Sequence, residues 1–423
     1  MKSSSKKKRN AFYGQSGGVT PVINASAAGV LRAAKRYRNC IGKVYAGKNG
    51  ILGALQEELI DTSENSSSLI KKLINTPGGA FGSCRFKLGS IEKNRREYER
   101  LIEVFQAHDI GYFFYNGGGD SQDTTHKVSL MSKEMNYPLT CIGIPKTIDN
   151  DLPYTDNSPG FGSVAKYVAV SIQEASLDLA SMASSSTKVF ILEVMGRHAG
   201  WIAAAAGLCF TPKDAPHIIL FPEIPFQKEQ FLKKVAATIK KYGFCSIVVS
   251  EGVRNTAGEF LSDSGLKDAF GHAQLGGVAS VISNLIKQDL GYKCHYAIAD
   301  YLQRSARHIA SKTDIDQAFA LGEAAVEMAV SGYDSIMPII KRNSNKPYRW
   351  SVSYVPLECV ANQEKHMPRN FINASGFGIT EKCKEYLLPL IQGESYPVYK
   401  KGLPDYVELE KKLIPKKCKS FKV

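Results

Sequence analysis

Two short apolar runs that each end in a polar, glycine-bearing loop constrain this chain more than any other feature. Residues 111–115 (GYFFY) lead into NGGGDSQD, and residues 139–144 (LTCIGI) lead into PKTIDND. A short apolar run bounded by turn residues reads as a strand buried on both faces. Loops of this kind at the ends of neighbouring strands are where an open α/β sheet receives its ligands. Glycines let backbone N–H groups approach a phosphate closely. The carboxylates Asp120, Asp123, Asp149 and Asp151 can hold a hard cation or accept a proton. Together they suggest phosphoryl transfer.

The rest of the chain repeats the same rhythm. Residues 10–37 read as strand, glycine turn and helix, with Thr20 as N-cap and Pro21 in the first turn. Gly17 and Gly18 then stand before a helix N-terminus, where an anion is favoured. A short strand at 44–46, a glycine-rich loop at 77–87 ending in Arg85 and Lys87, and a charged helix at 90–108 follow. Further on come a helix at 163–182, a strand at 188–194 running into Met195, Gly196 and Arg197, and a strand at 217–221. A lysine-rich helix at 227–241 precedes a strand at 245–250 that leads to Glu251. Asp314 reads as the cap of a helix over 315–331, and the alternation at 349–355 reads as an edge strand. Strand–turn–helix in two blocks, roughly 10–150 and 188–252, is the signature of α/β architecture. The expectation is two Rossmann-like lobes with mostly parallel sheets and an active site in the cleft between them. The divisions expected are 1–160, 161–302, and a C-terminal part, 303–423, packing back on both lobes. Residues 365–423 offer no functional reading.

Composition excludes several alternatives. Among 423 residues, 43% hydrophobic and 22% charged, the longest apolar candidate, 201–210, falls short of a bilayer span. The N-terminal basic stretch lacks the apolar run of a secretory signal. Nine cysteines with no C-x-x-C pair suggest reduced thiols in a cytoplasmic protein and no structural zinc site. Much of the net charge of +14 sits in 2–9 and 411–422, expected to be solvated tails, and the remainder suits anionic substrates rather than nucleic acid or membrane. A dinucleotide-binding dehydrogenase is disfavoured because the turn at 14–18 lacks G-x-G-x-x-G. A non-enzymatic relative would be expected to have lost Asp149, Arg85 or Arg197, and all three are present.

The pieces SGG and TPVIN (16–24), GSCRF (82–86), GGGDS (117–121), PKTIDND (145–151), EVMGRHAG (193–200), PE (222–223) and YLQR (301–304), in this order, resemble the phosphofructokinase family. The resemblance spans about 10–332. It implies a phosphoryl-donor side in the first lobe and a sugar-phosphate side in the second. By it, Asp149 is the general base. Thr147, Ile148 and Asp151 hold substrate and geometry. Gly17 and Gly18 contact the donor, and Arg85 neutralises the transferring group. Met195, Gly196, Arg197 and Glu223 bind the sugar, and Tyr301 and Arg304 bind its 6-phosphate. Lys188 matches a cation contributed across a subunit interface, which implies a homodimer or homotetramer with shared sites. Lys293 or His295 matches a further cationic slot.

The resemblance is strongest to the pyrophosphate-using variant, which phosphorylates fructose 6-phosphate at its 1-hydroxyl. ATP-using relatives carry glycine where Asp120 and Lys146 stand. A carboxylate there opposes the α-phosphate of ATP, and a lysine suits compact pyrophosphate. An ATP-dependent 6-phosphofructokinase is the alternative. The implied cofactor is Mg²⁺. Its usual carboxylate position in the family is Gly119 here, so either Asp120 takes over as metal ligand, with Asp123 less expected, or the ion is held by pyrophosphate oxygens and water; the expectation is Asp120.

Overall fold

The computed structural model describes residues 8–209, 216–267 and 273–423. Residues 1–7, most of the basic N-terminal stretch, lie outside them. Thirteen strands build the two main sheets and a hairpin. They are β1 (Arg9–Gln15), β2 (Ile41–Gly47), β3 (Leu59–Asp61), β4 (Ile110–Gly117), β5 (Thr140–Pro145), β6 (Val189–Val194) and β7 (Ile218–Leu220). β8 (Cys245–Ser250), β9 (Asp263–Lys267), β10 (Ala273–Leu275), β11 (Cys294–Ile298), β12 (Ile336–Asn345) and β13 (Tyr348–Pro356) complete the set. Two further short strands, Tyr399–Lys400 and Leu403–Pro404, pair near the C-terminus.

The first sheet has the order β13-β12-β5-β4-β1-β2-β3. Its interior is parallel, and β13 and β3 pair antiparallel at its two edges. β4 is buried along its whole length, as its unbroken apolar sequence requires of a central parallel strand. The second sheet, β11-β6-β8-β7, is parallel throughout. The two α/β lobes expected from the sequence are thus present, and β13 is the edge strand expected at 349–355. The chain after 303 contributes to both sheets' surroundings. It lends β12 and β13 to the first sheet, while Leu387 and Leu390 join the core under Trp201 in the second.

Three local expectations give way to longer-range contacts. The first helix starts at Ile23 with no side-chain cap, one turn past Thr20 and Pro21. Asp314 does not cap its own helix, Lys312–Ser331, whose N-cap is Ser311. Its buried carboxylate instead accepts the Gly160 and Ser163 N–H groups at 2.9 Å each and the Ser163 hydroxyl at 2.6 Å, capping the helix Phe161–Met182. The basic C-terminal tail is docked rather than loose. Ile414 N–H donates to Leu59 O at 2.9 Å, Lys417 N–H donates to Glu57 at 2.5 Å, and Phe421 lies under Arg96 and Arg100.

Candidate active site

β4 and β5 end side by side, and Lys146 N–H donates to Gly117 O at 3.1 Å, tying the two expected loops together. Gly117 has to be glycine, because a Cβ there would lie 2.0 Å from Ser121 Oγ. These loops form one wall of a cleft of about 830 Å³ between the lobes. The opposite wall is Met195, Arg197 and His198 after β6, Glu251 after β8, and Asp300, Tyr301 and Arg304 after β11. Both lobes therefore present the C-terminal ends of their parallel strands to one space, as open α/β sheets do.

The donor end is cationic. Arg85, Lys87, Lys146 and Arg304 line it together with Gly17, Gly18, Gly118 and Gly119. Lys146 Nζ donates to Gly18 O at 2.6 Å. Burial lowers the Lys146 pKa to about 8, against the pull of Asp149 and Asp151, and Arg304 and Arg85 lower it further. Arg304 stacks 3.6 Å from the Tyr301 ring centroid and reaches Gly18, where an added Cβ would meet Nη1 at 2.7 Å. Gly17 adopts φ +74° and donates its N–H to Cys84 O at 2.9 Å, so that N–H is already engaged.

Asp149 lies where the two ends of the cleft meet. Its N–H donates to Thr147 Oγ1 at 3.1 Å. Burial raises its pKa to about 7, with Asp151 and Glu251 adding like charge, while Lys146 and Arg197 pull the other way. Burial raises Asp151 as well, and its Oδ1 has no hydrogen-bond partner. Two part-buried carboxylates with raised pKa values beside cations, in a cleft, make this the candidate place for a proton acceptor. Ile148 lines the cleft beside them and joins the core beneath.

On the sugar side, Gly196 takes φ +128°, donates its N–H to Glu251 Oε1 at 3.3 Å, and accepts the Ser250 hydroxyl at 2.6 Å. Met195 N–H donates to the buried Gln303 at 3.3 Å, which aligns the segment with the 301–304 element. Glu223 does not line the cleft. It caps the turn at Gly200, accepting that N–H at 2.8 Å. The glutamate of this sheet that does line the cleft is Glu251, whose pKa burial also raises. Its position directly after β8 parallels that of Met195 after β6, and this is the sequence signal that marks it.

Asp120 lines the cleft, half-exposed, and pairs with Lys87 at 2.6 Å. Asp123 is turned away, bound to Lys127 at 2.5 Å and to Asn362 at 3.2 Å. A Cβ at Gly119 would meet nothing within 4 Å. Among the described residues no three His, Cys, Asp or Glu side chains form a metal-holding group. Lys188 stands at the start of β6, at the opposite end from Met195, with its ammonium on Ala183 O. Neither it nor Lys293 nor His295 lines the cleft of its own chain. Sequence reasoning missed Lys87, His198, Asp300 and the stretch Asn362, Gln363 and Glu364, all of which do line it.

The phosphofructokinase family model matches residues 10–329. The chain is 62% identical over 415 residues, 98% of its own length and 99% of the relative's, to a Halomonas elongata protein named pyrophosphate–fructose 6-phosphate 1-phosphotransferase. It is 61% identical over 417 residues, 98% of its length and 99% of the relative's, to a Methylococcus capsulatus protein of the same name. The crystal structure of a pyrophosphate-dependent phosphofructokinase from Nitrosospira multiformis matches with a TM-score of 0.91 and 60% identity, covering 98% of this chain and 100% of that one. With the cleft carrying the family's loops in place, and with likeness on this scale over nearly the whole length, the chain belongs to the phosphofructokinase family.

Proposed function

We propose that this protein transfers a phosphoryl group from pyrophosphate to the 1-hydroxyl of fructose 6-phosphate, reversibly, giving fructose 1,6-bisphosphate and phosphate. The observation that carries the reading is Asp149, a part-buried carboxylate between the cationic Lys146 and Arg197 sides of the cleft. The names of relatives at 56–62% identity over nearly the full chain support it.

In the forward direction Asp149 accepts the proton of the 1-hydroxyl as that oxygen bonds to phosphorus. The bridging P–O bond of pyrophosphate breaks, and phosphate leaves with its electron pair. Arg85 and Lys146 face the charge spread over the transferring group, the main catalytic device in such reactions. Arg197, Glu251 and Met195 orient the sugar and Tyr301 faces its 6-phosphate, while Arg304, stacked on Tyr301, reaches across to the donor end at Gly18. Asp120 and Lys146 fill the donor end in a way that suits pyrophosphate and crowds a nucleoside triphosphate. Asp120, a carboxylate lining the donor end, would hold Mg²⁺ there. When bound it would neutralise charge on the donor.

Lys188, at the far end of β6, and the exposed edge strand β11, with Tyr296, Ile298 and nearby Leu302 open to solvent, support a homodimer or larger homo-oligomer with shared sites. Light scattering measures this directly. No described helix is long and apolar enough to cross a membrane. Cys84, Cys141, Cys245, Cys294 and Cys383 are buried cysteines without a disulfide, in keeping with the cytoplasm. Phosphorus NMR of the protein with pyrophosphate, fructose 6-phosphate and Mg²⁺ tests the reaction. Phosphate and a bisphosphate ester should grow together, and loss of pyrophosphate without ester would refute the reading.

A further inference from the structure

The C-terminal segment, silent in sequence, enters the cleft at Asn362, Gln363 and Glu364. The next residue, Lys365, points away from the cleft into the protein. Its ammonium donates to Asn150 Oδ1 at 3.3 Å, Thr155 O at 3.1 Å and Asp156 O at 3.0 Å. These are all three donors an ammonium has. Its backbone N–H donates to Asp151 O at 2.6 Å. Its carbonyl accepts the Trp201 indole N–H at 3.3 Å, and the ammonium lies 5.4 Å from that ring. One residue thus grips the loop after β5 and touches the second lobe just beyond the Met195 turn.

The gripped loop needs holding. Asn150, between the two aspartates, adopts φ +55°, a conformation sustained by its surroundings. We propose that Lys365 is a positioning residue for phosphoryl transfer, fixing the turn that carries Asp149 and Asp151 and locking it to Trp201 of the sugar-side lobe. The inference rests on the reading of Asp149 as base.

The choice of lysine over a neutral donor follows from the charges around the pair. Asp149 faces Asp151, Glu251, Lys146 and Arg197, and Asp151 faces Glu364 and Lys365. Lys365 is the cation behind the loop that opposes Glu364. Burial lowers its pKa to about 8, so it stays largely charged at neutral pH.

The test compares Lys365→Met, Lys365→Arg and Glu364→Gln with wild type in full kinetics across pH, with Asp149→Asn as a control. Misplacing the base by about 1 Å costs on the order of 100-fold, so K365M should lose about 10- to 100-fold in kcat with KM for pyrophosphate within about threefold. Its acid limb should move to higher pH, because a cation facing Asp151 is gone. K365R should keep the limb in place while losing kcat only a few-fold, and E364Q should move the limb to lower pH. Wild-type kcat in K365M, or an acid limb that stays put in both K365M and E364Q, overturns the proposal. Should K365M fail to fold, K365R and E364Q still decide. An active D149N variant would sink the base reading itself, whereas an inactive D149N beside a normal K365M sinks only the role of Lys365.

Discussion

The proposed mechanism places the proton transfer on a single side chain, Asp149. A general base contributes about 10²- to 10⁴-fold, so Asp149→Asn should cost that much in kcat. The same substitution should stabilise the fold. The folded pKa of Asp149 lies above its unfolded value, so folding is penalised increasingly as pH rises from the ordinary carboxylate range through about 7. Thermal unfolding of D149N and wild type should coincide at pH 4 and diverge by about 1–3 kcal/mol in favour of D149N at pH 8. Equal stabilities at pH 8 would contradict the buried charge. For wild-type activity the sign is opposite, because the base must be ionised and turnover should fall as pH drops below neutrality. A second substitution probes the metal. The open space at Gly119 predicts that Gly119→Asp folds normally and lowers the Mg²⁺ concentration giving half-maximal rate, measured by Mg²⁺ titration.

The docked tail makes Glu57 the test among the elements. Burial pushes its carboxylate up, but the Lys417 N–H, the His108 ring and the Cys418 N–H outweigh that and hold its pKa below the usual range. A depressed pKa adds stability above the unfolded value, lost as pH falls. Deleting 411–423 should therefore cost about 1–3 kcal/mol at pH 7 and less at pH 4, by denaturant unfolding. Asp314→Ala should cost a similar amount by leaving the Gly160 and Ser163 N–H groups unmet. These elements also mark what was legible in the sequence. Strands and glycine turns were readable because their signals are local: the apolar run of β4, and β8 at 245–250. The role of Asp314, the docking of 411–422 and the approach of 362–365 were not readable. Each depends on partners more than a hundred residues away, and local rules gave Asp314 the nearest helix and the basic tail to solvent. Glu223 drew attention from Glu251 for a related reason. Both follow strands of the same sheet, and only packing shows which one faces the cleft.

The molecule as a whole is two mostly parallel sheets aimed at one space, with cations at one end and Met195, Arg197 and Glu251 at the other. Its first lobe is closed by strands from the C-terminal part, so that lobe is not a continuous stretch of chain. The pairing of β4 with β5 brings Asp120 and Lys146 to one end of that space and underlies the central proposal, that the donor is pyrophosphate. Steady-state kcat/KM for pyrophosphate and for ATP, at saturating fructose 6-phosphate and Mg²⁺, tests it most directly. The account predicts turnover with pyrophosphate and at least about 100-fold less with ATP, a difference of roughly 2.7 kcal/mol. Turnover with ATP that equals or exceeds turnover with pyrophosphate would contradict it.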